Sequence, residues 1–124
     1  MAKHNELGKK GELIARKFLE EKEFQIIEIN WRHEKDEIDV IAKDGDELVM
    51  VEVKTRSTRY FGDPSESVSA AKESYLIRAA EAYVQIHNLD IDTRFDIISI
   101  VIDKNGTHIE HIKDAFYPEI PDID

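Results

Sequence analysis

Two carboxylates and a lysine are spaced so that a β-hairpin could bring them together. Asp39 precedes Glu52 by twelve intervening residues, and Lys54 follows after one more. Side chains alternate between the faces of a strand, so we expect all three on one face. Two carboxylates at such a short distance repel each other unless a cation neutralises them. We therefore predict that Asp39 and Glu52, with a backbone carbonyl, bind a divalent metal ion. Lys54 would orient or deprotonate an attacking water, or hold a phosphate.

The register of this hairpin depends on which residues form its turn. If residues 45–46 form a two-residue turn, Asp39 lies directly opposite Glu52. If residues 44–45 form it, Glu52 is the diagonal neighbour of Asp39. Both registers keep the carboxylates on one face, with Cβ atoms roughly 4.5–8 Å apart. The alternative is an ordinary solvated hairpin in which Lys54 merely pairs with Glu52, and a motif this short does not exclude it.

Charged residues on two predicted helices could reach the same site. Glu12 lies at the edge of an apolar stripe, so its carboxylate should point toward the sheet, unless it only pairs with Arg16. Lys72 is in register with apolar helix positions and would either contact phosphate or only extend its charge into solvent. Gly8 and Gly11 disfavour a helix, so we expect them where this helix approaches another backbone closely.

The charge is unevenly distributed along the chain. The 124 residues contain 17 Lys and Arg and 27 Asp and Glu, a net charge of −10, which argues against coating nucleic acid by bulk charge. Residues 1–17 hold five basic and two acidic side chains, and residues 53–60 hold three basic and no acidic ones. A groove between these segments could hold a phosphate backbone. We predict that Arg56, Arg59 and Lys72 bind nucleic acid, the alternative being solvated surface charge.

Hydrophobic periodicity predicts the elements that must position these residues. Helices are expected over residues 5–22 and 69–87, and strands over 24–30, 37–42, 47–55, 93–103 and 107–112. The fourth strand is apolar on both faces, as a central strand should be, and the second helix allows it to run parallel to a neighbour. The sequence thus predicts one α/β domain with a mixed sheet over residues 1–117. An irregular acidic tail is expected over residues 118–124.

The composition excludes several other kinds of site. With no cysteine, the chain has no disulfide, thiolate zinc site or thiol nucleophile. No apolar run approaches the roughly 18 residues of a membrane span, and the first residues do not predict a signal peptide. We therefore expect a cytoplasmic protein that does not contact a membrane.

Taken together, these residues resemble the YraN family of small bacterial proteins, which are predicted to be endonuclease-like. The resemblance spans roughly residues 5–118. Its motifs are Gly8, Gly11-Glu12, Ala15, Asn30-Trp31-Arg32, Glu37-Ile38-Asp39-Val40-Ile41-Ala42, Val51-Glu52-Val53-Lys54-Thr55-Arg56, Phe61-Gly62-Asp63-Pro64, Lys72 and Arg94-Phe95-Asp96. The family is similar in fold to the PD-(D/E)XK restriction-endonuclease-like superfamily. The core of that superfamily has the order helix, three strands, helix, strand.

The resemblance implies a metal-dependent nuclease. Asp39 and Glu52 would bind Mg²⁺ or Mn²⁺, Lys54 would be catalytic, and Glu12 would assist, as the similar helix glutamate does in archaeal Holliday-junction resolvases. The implied reaction is hydrolysis of phosphodiesters in DNA, with branched or damaged DNA as candidate substrates and a homodimer as a possible assembly. The alternative is a catalytically weak module that keeps the nuclease fold and binds nucleic acid or a protein.

One position departs from the family pattern. The family usually places a glycine before Glu-Ile-Asp, and this chain has Asp36 there. We expect an acid at the mouth of the site to bind a second ion or to repel DNA.

Overall fold

A computed structural model of the chain describes residues 2–57 and 68–118, with side chains from residue 6 onward. The elements within these ranges are α1 (Ala2–Glu21), β1 (Gln25–His33), β2 (Asp36–Asp44), β3 (Glu47–Arg56), α2 (Ala70–Ile86), β4 (Asp92–Asp103) and β5 (Gly106–Phe116). The order of helix, three strands, helix and two strands confirms the prediction of one mixed α/β domain. The predicted acidic tail lies, apart from its first residue, outside the described residues.

The five strands of the described chain form one sheet in the order β1-β2-β3-β4-β5. β3 and β4 are parallel, and the other neighbouring strands are antiparallel. α2 lies between β3 and β4 in sequence and provides the crossover that parallel strands require. β4 is buried from Arg94 to Ile100, as expected for a strand covered on both faces.

A helix packs on each face of the sheet. α1 contributes Ala15 and Leu19 to a cluster completed by Phe24, Val40, Ala42, Val49, Val51, Ile98 and Ile100. α2 contributes Leu76, Ala79, Ala80 and Tyr83 to a cluster with Ile38, Ile41, Leu48, Met50, Val68, Phe95, Ile97 and Phe116. Burying one large aliphatic side chain stabilises a fold by roughly 1.5–3 kcal/mol, so the two clusters hold β2, β3 and β4 firmly from both sides.

The hairpin between β2 and β3 has the first of the two registers considered above. Asp44 pairs with Glu47, so residues 45–46 form the turn. Gly45 has a φ of 60°, in the left-handed region that glycine adopts without a steric penalty. The last pair in this ladder is Val40 with Val51, and Asp39 and Glu52 are the next residues along the two strands.

The last strand is longer than predicted. β5 continues past residue 112 to Phe116, whose ring stacks on Phe95 with centroids 5.0 Å apart. A register shift separates the pairs Ile97–Ile112 and Phe95–Phe116, and Asp114 within it has a φ of 52°. The predicted end was wrong because this bulge interrupts the apolar alternation on which the prediction relied.

Candidate active site

Asp39 and Glu52 meet where the ladder between β2 and β3 ends. The backbone N–H of Val53 donates a 2.8 Å hydrogen bond to Asp39 Oδ2, so the Asp39 carboxyl reaches across to β3. The negative charge of Glu52 acts on the carboxyl of Asp39, so the two side chains lie close together. The structure therefore brings together the two residues predicted to bind metal.

The electrostatics of Asp39 differ from those of a solvated carboxylate. The pKa of Asp39 is raised to about 7, first by burial and then by the charge of Glu52, while the Val53 N–H opposes both. The negative charge of Glu37 acts in the same direction as Glu52. Without a cation, Asp39 is therefore only partly ionised at neutral pH. A positive ion between the two carboxyls would remove the repulsion and favour the ionised form.

Glu52 has a free coordination position. Its side chain is almost fully buried, and Oε1 has no hydrogen-bond partner among the described residues. The other oxygen, Oε2, lies 3.6 Å from the ammonium of Lys72 on α2. A buried acceptor without a partner costs about 1–3 kcal/mol, and more when it is charged. This uncompensated oxygen is suited to a metal ion.

The expectation that all these side chains share one sheet face is wrong for β2. Strict alternation would place Ile38 and Val40 on the same face, but Ile38 packs in the cluster under α2 and Val40 in the cluster under α1. The change of face falls at Asp39, between them. Asp39 consequently lines a cavity beside α1 and still contacts Glu52, whose carboxylate meets Lys72 of α2.

α1 approaches the site closely at Gly11. A Cβ atom at this position would overlap the side chain of Thr55 on β3, which explains a glycine inside the helix. The predicted close approach is therefore confirmed for Gly11, although the neighbour is a side chain rather than a backbone. It is wrong for Gly8, because a Cβ there would meet nothing within 4 Å.

The close packing of α1 brings Glu12 beside Asp39. Both residues line one cavity, and burial together with the charge of Asp39 raises the pKa of Glu12. A hydrogen bond from the Asn30 side chain opposes this rise, and Arg16 lowers the pKa of Glu12 as well. The structure thus places Glu12 beside Asp39, one member of the predicted pair, and its assisting role stays a prediction.

The positions of Lys54 and Lys72 do not fit the alternative of an ordinary hairpin in which Lys54 pairs with Glu52. Lys54 is exposed on β3 and pairs in register with Ser99 of β4. Among the described residues, the ammonium within 4 Å of Glu52 belongs to Lys72, not to Lys54. Lys72 is held in the first turn of α2, where its backbone N–H donates to the capping hydroxyl of Ser69 at 3.2 Å. Lys54 therefore does not serve as the counter-ion of Glu52.

The predicted nucleic-acid contacts are only partly described. Arg56 is the last residue of β3 and is half-buried. Arg59 and the Phe61-Gly62-Asp63-Pro64 motif lie outside the described residues. Lys72 lies beside Glu52, and its side chain remains 43% exposed, so its ammonium is accessible from solvent.

Asp36 does not act as an added negative charge at the mouth of the site. It is buried, and the Nε and Nη2 groups of Arg78 each donate to its carboxylate at 2.9 Å. These hydrogen bonds lower the pKa of Asp36, and Lys72 and His33 add to the effect through their charges. Because Arg78 neutralises Asp36, the expectation that this acid would repel DNA loses its basis.

The side-chain set fits some metal ions better than others. Within the described residues, no group of three or more His, Cys, Asp or Glu side chains is placed to hold a metal ion. Mg²⁺ is commonly bound by one or two carboxylates, with water and substrate phosphate completing its octahedral shell. The Asp39–Glu52 pair and the unpartnered Glu52 oxygen fit this pattern, which Mn²⁺ also accepts.

Sequence reasoning did not assign a role to Asn30. Its φ of 50° lies in the left-handed region, which asparagine tolerates better than most residues. Its side chain hydrogen-bonds Glu12 and lines the same cavity as Asp39. The sequence feature that pointed to Asn30 was the Asn30-Trp31-Arg32 motif of the family resemblance, and this motif does not indicate a chemical role by itself.

These features define an α/β protein with a helix on each face of a five-stranded sheet and an acidic candidate metal site at the end of one hairpin. The profile of the uncharacterised protein family UPF0102 matches residues 11–100, and the chain belongs to this family. The family assignment confirms the YraN-like resemblance. No helix among the described residues is long and apolar enough to cross a membrane.

Several relatives are similar over almost their full length. A UPF0102 protein of Christiangramia forsetii is 51% identical over 117 residues, covering 94% of this chain and 98% of the relative. A UPF0102 protein of Bacteroides thetaiotaomicron is 46% identical over 120 residues, covering 97% and 99%. One of Flavobacterium psychrophilum is 47% identical over 117 residues, covering 94% and 98%.

Proposed function

We propose that the protein is a metal-dependent endonuclease that hydrolyses phosphodiesters in DNA. The observation that carries this proposal is the close pair of the half-buried Asp39 and the buried Glu52, with Glu52 Oε1 lacking a hydrogen-bond partner among the described residues. The fold places the ammonium of Lys72 3.6 Å from Oε2 of Glu52, but among the described residues it gives Oε1 no partner and sets Asp39 beside other acids, although an uncompensated buried charge is costly. An external cation at the pair would supply the missing positive charge, as in a phosphoryl-transfer site.

Each predicted site residue has a role in this proposal. Asp39 and Glu52 would hold Mg²⁺ or Mn²⁺, which when bound stabilises charge on the phosphate and lowers the pKa of water. Lys54 follows Glu52 on β3 and would orient the attacking water or stabilise charge developing at phosphorus. Glu12 would assist by acting on Asp39, with which it interacts electrostatically.

DNA is the proposed partner. Arg56, Arg59 and Lys72 would contact phosphates, which position the nucleic acid without reading its sequence. Branched or damaged DNA is the proposed substrate, and the cytoplasm is the proposed location. A homodimer stays a prediction.

A cleavage assay tests the proposal directly. Intact, nicked, single-stranded and branched DNA are incubated with Mn²⁺ and the wild-type protein, Lys54→Ala or Glu52→Ala, and the products are separated on gels. We expect the wild type to cut and both variants to lose at least about 100-fold in rate. Lys54→Ala should keep its metal binding, measured by calorimetry, because the carboxylates hold the ion. Wild-type protein that binds no DNA and cuts none would contradict the proposal.

The net charge of −10 favours a second candidate, a module that keeps the site geometry but performs little chemistry. In the same assay, such a module would bind branched DNA without cutting it under any divalent ion. Charge reversal at Arg56 should weaken that binding equally for all sequences and flatten its salt dependence, because phosphate contacts release counterions.

A further inference from the structure

We propose that the cavity between α1 and the β1–β2 pair binds an unpaired nucleobase next to the phosphate held at Asp39. This inference rests on the proposed nuclease function and narrows its substrate to DNA in which at least one nucleotide is unpaired. The cavity has a volume of about 330 Å³. Its lining includes the apolar Leu13 and Ile29, the acidic Glu12 and Asp39, and the basic Lys9 and Arg16.

The cavity is built on two rigid elements. Lys9, Leu13 and Arg16 are spaced four and three residues apart, which places them on one face of α1. On the sheet, Ile29 of β1 pairs directly with Val40 of β2. The walls therefore come from a helix and a strand ladder, and such elements position a ligand better than loops do.

Its apolar walls are unusual for a site that would handle only phosphates. Leu13 and Ile29 are each 44% exposed, although both are large aliphatic residues. They lie in the same cavity as the carboxylates of Glu12 and Asp39. The sugar-phosphate backbone is polar, whereas the face of a nucleobase is flat and apolar. A base lying against Leu13 and Ile29 would cover both side chains.

The charged residues of the cavity suit the rest of a nucleotide. Lys9 and Arg16 flank Leu13 on the helix and could pair with phosphates adjoining the one at Asp39. Inside an intact duplex the bases remain stacked and paired, so none can enter a cavity beside the backbone. A base that is unpaired, or that leaves the stack at low energetic cost, can enter it.

The test compares two DNA substrates that differ by a single base. Both are duplexes with a short single-stranded flap, and in one of them the flap nucleotide next to the junction is abasic. Binding is measured by fluorescence anisotropy with Ca²⁺, and cutting on gels with Mn²⁺. We expect wild-type protein to bind the substrate with the base about tenfold more tightly, since the base covers apolar surface.

Variants of the cavity lining test whether the preference for the substrate with the base arises in the cavity. Leu13→Ser combined with Ile29→Thr should remove the preference while leaving affinity for the abasic substrate within about twofold. Leu89→Ser is the matched control, because Leu89 is also an exposed aliphatic residue, 38% exposed, and lies outside the cavity lining. This control should keep the preference. Thermal melts check that each variant folds. If the double variant is unfolded, Ile29→Thr alone is used in its place.

The possible results separate this inference from the proposed function. If wild-type protein cuts both substrates equally well, the base-binding cavity is overturned and the nuclease proposal stands. If Leu89→Ser abolishes the preference as fully as the cavity variant does, the cavity assignment is overturned as well. Wild-type protein that neither binds nor cuts any of these DNAs overturns both.

Discussion

A buried aspartate, Asp96, and a half-buried one, Asp39, have opposite surroundings in the same domain. Asp96 on β4 is 1% exposed and receives two hydrogen bonds from the guanidinium of Arg94, at 2.9 and 3.0 Å. His111 Nε2 lies 2.7 Å from Asp96 Oδ2, and the backbone N–H of Asp114 donates to Oδ1 at 3.0 Å. Asp39 receives one backbone N–H and interacts with the carboxyls of its neighbours instead.

Their pKa values move in opposite directions for a physical reason. Burial raises the pKa of Asp96, but the hydrogen bonds from His111 and Arg94 outweigh it, so the net pKa is lowered. Burial also raises the pKa of Asp39, and Glu52 raises it further, to about 7. The difference is the supply of positive charge. The fold provides cationic partners for its structural carboxylate and leaves Asp39 beside other acids, which distinguishes a supporting network from a candidate site.

Removing the cation from Asp96 should have the largest effect on stability. Arg94→Met leaves a buried carboxylate with only His111 and one N–H, and losing one partner of a buried pair costs about 3–5 kcal/mol. Arg94 also contacts Asp44 and Glu47, at 3.0 and 2.9 Å, so these acids lose a partner too. Urea unfolding followed by circular dichroism measures the loss. A change below about 1 kcal/mol would mean that the two aspartates do not differ as described.

Removing the charge of Asp39 should increase stability, whereas removing the cation beside Asp96 should decrease it. The folded-state pKa of about 7 exceeds the unfolded value of 3.8, so the folded protein binds more protons between these pH values. Its stability should therefore fall as the pH rises through this window in metal-free buffer. Asp39→Asn removes this contribution and should be more stable than wild type at pH 8, by about 1 kcal/mol or more.

The control for this pH dependence is the difference in unfolding free energy between wild type and Asp39→Asn across pH 4–8, which cancels contributions from other groups. A difference that does not change with pH would show that Asp39 is not an uncompensated carboxyl.

Adding a divalent ion should give Asp39 a cationic partner, as Arg94 is for Asp96. At a Mg²⁺ or Mn²⁺ concentration ten times the dissociation constant, the folded state gains about 1.4 kcal/mol, and the melting temperature rises by several degrees. Asp39→Asn should lose most of this shift in differential scanning fluorimetry. An unchanged shift in the variant would place the ion elsewhere, with the acidic C-terminal residues as the first candidates.

The smallest effect should come from the two glycines of α1, of which Gly11 lies where this helix packs against Thr55 of β3. Gly11→Ala should destabilise the protein, because its Cβ overlaps Thr55 and would push α1 away from β3. Gly8→Ala is the matched control in open space. It should stabilise the protein by about 0.5–1 kcal/mol, since alanine favours a helix. Equal effects in thermal melts would contradict the packing described for Gly11.

The parts of the fold that depend on local sequence patterns could be predicted from the sequence. Apolar periodicity gave the order of the elements, and the alternative with Gly45-Asp46 as the turn gave the observed hairpin register. The approach of Glu12 to Asp39 was also predictable, since a boundary position on an amphipathic helix points toward the sheet it covers.

The remaining features depend on contacts between residues distant in sequence. The pairing of Asp96 with His111 crosses from β4 to β5, and the pairing of Glu52 with Lys72 depends on how α2 packs. Neither leaves a periodic signal. The change of face at Asp39 was missed for a similar reason, because alternation assumes a regular strand and this strand changes face at that residue.

The site draws on both faces of the sheet, and this has a consequence for the order in which a newly made chain acquires it. Glu12 comes from the N-terminal helix, Lys72 from the crossover helix, and Glu52 is covered only once β3 pairs with β4. Parallel pairing cannot form before the intervening crossover has closed. A nascent chain that ends after β3 therefore carries Asp39 and Glu52 as ordinary hydrated acids. The surroundings that raise the pKa of Asp39 and bury Glu52 arise only when synthesis is complete enough for the whole sheet to assemble.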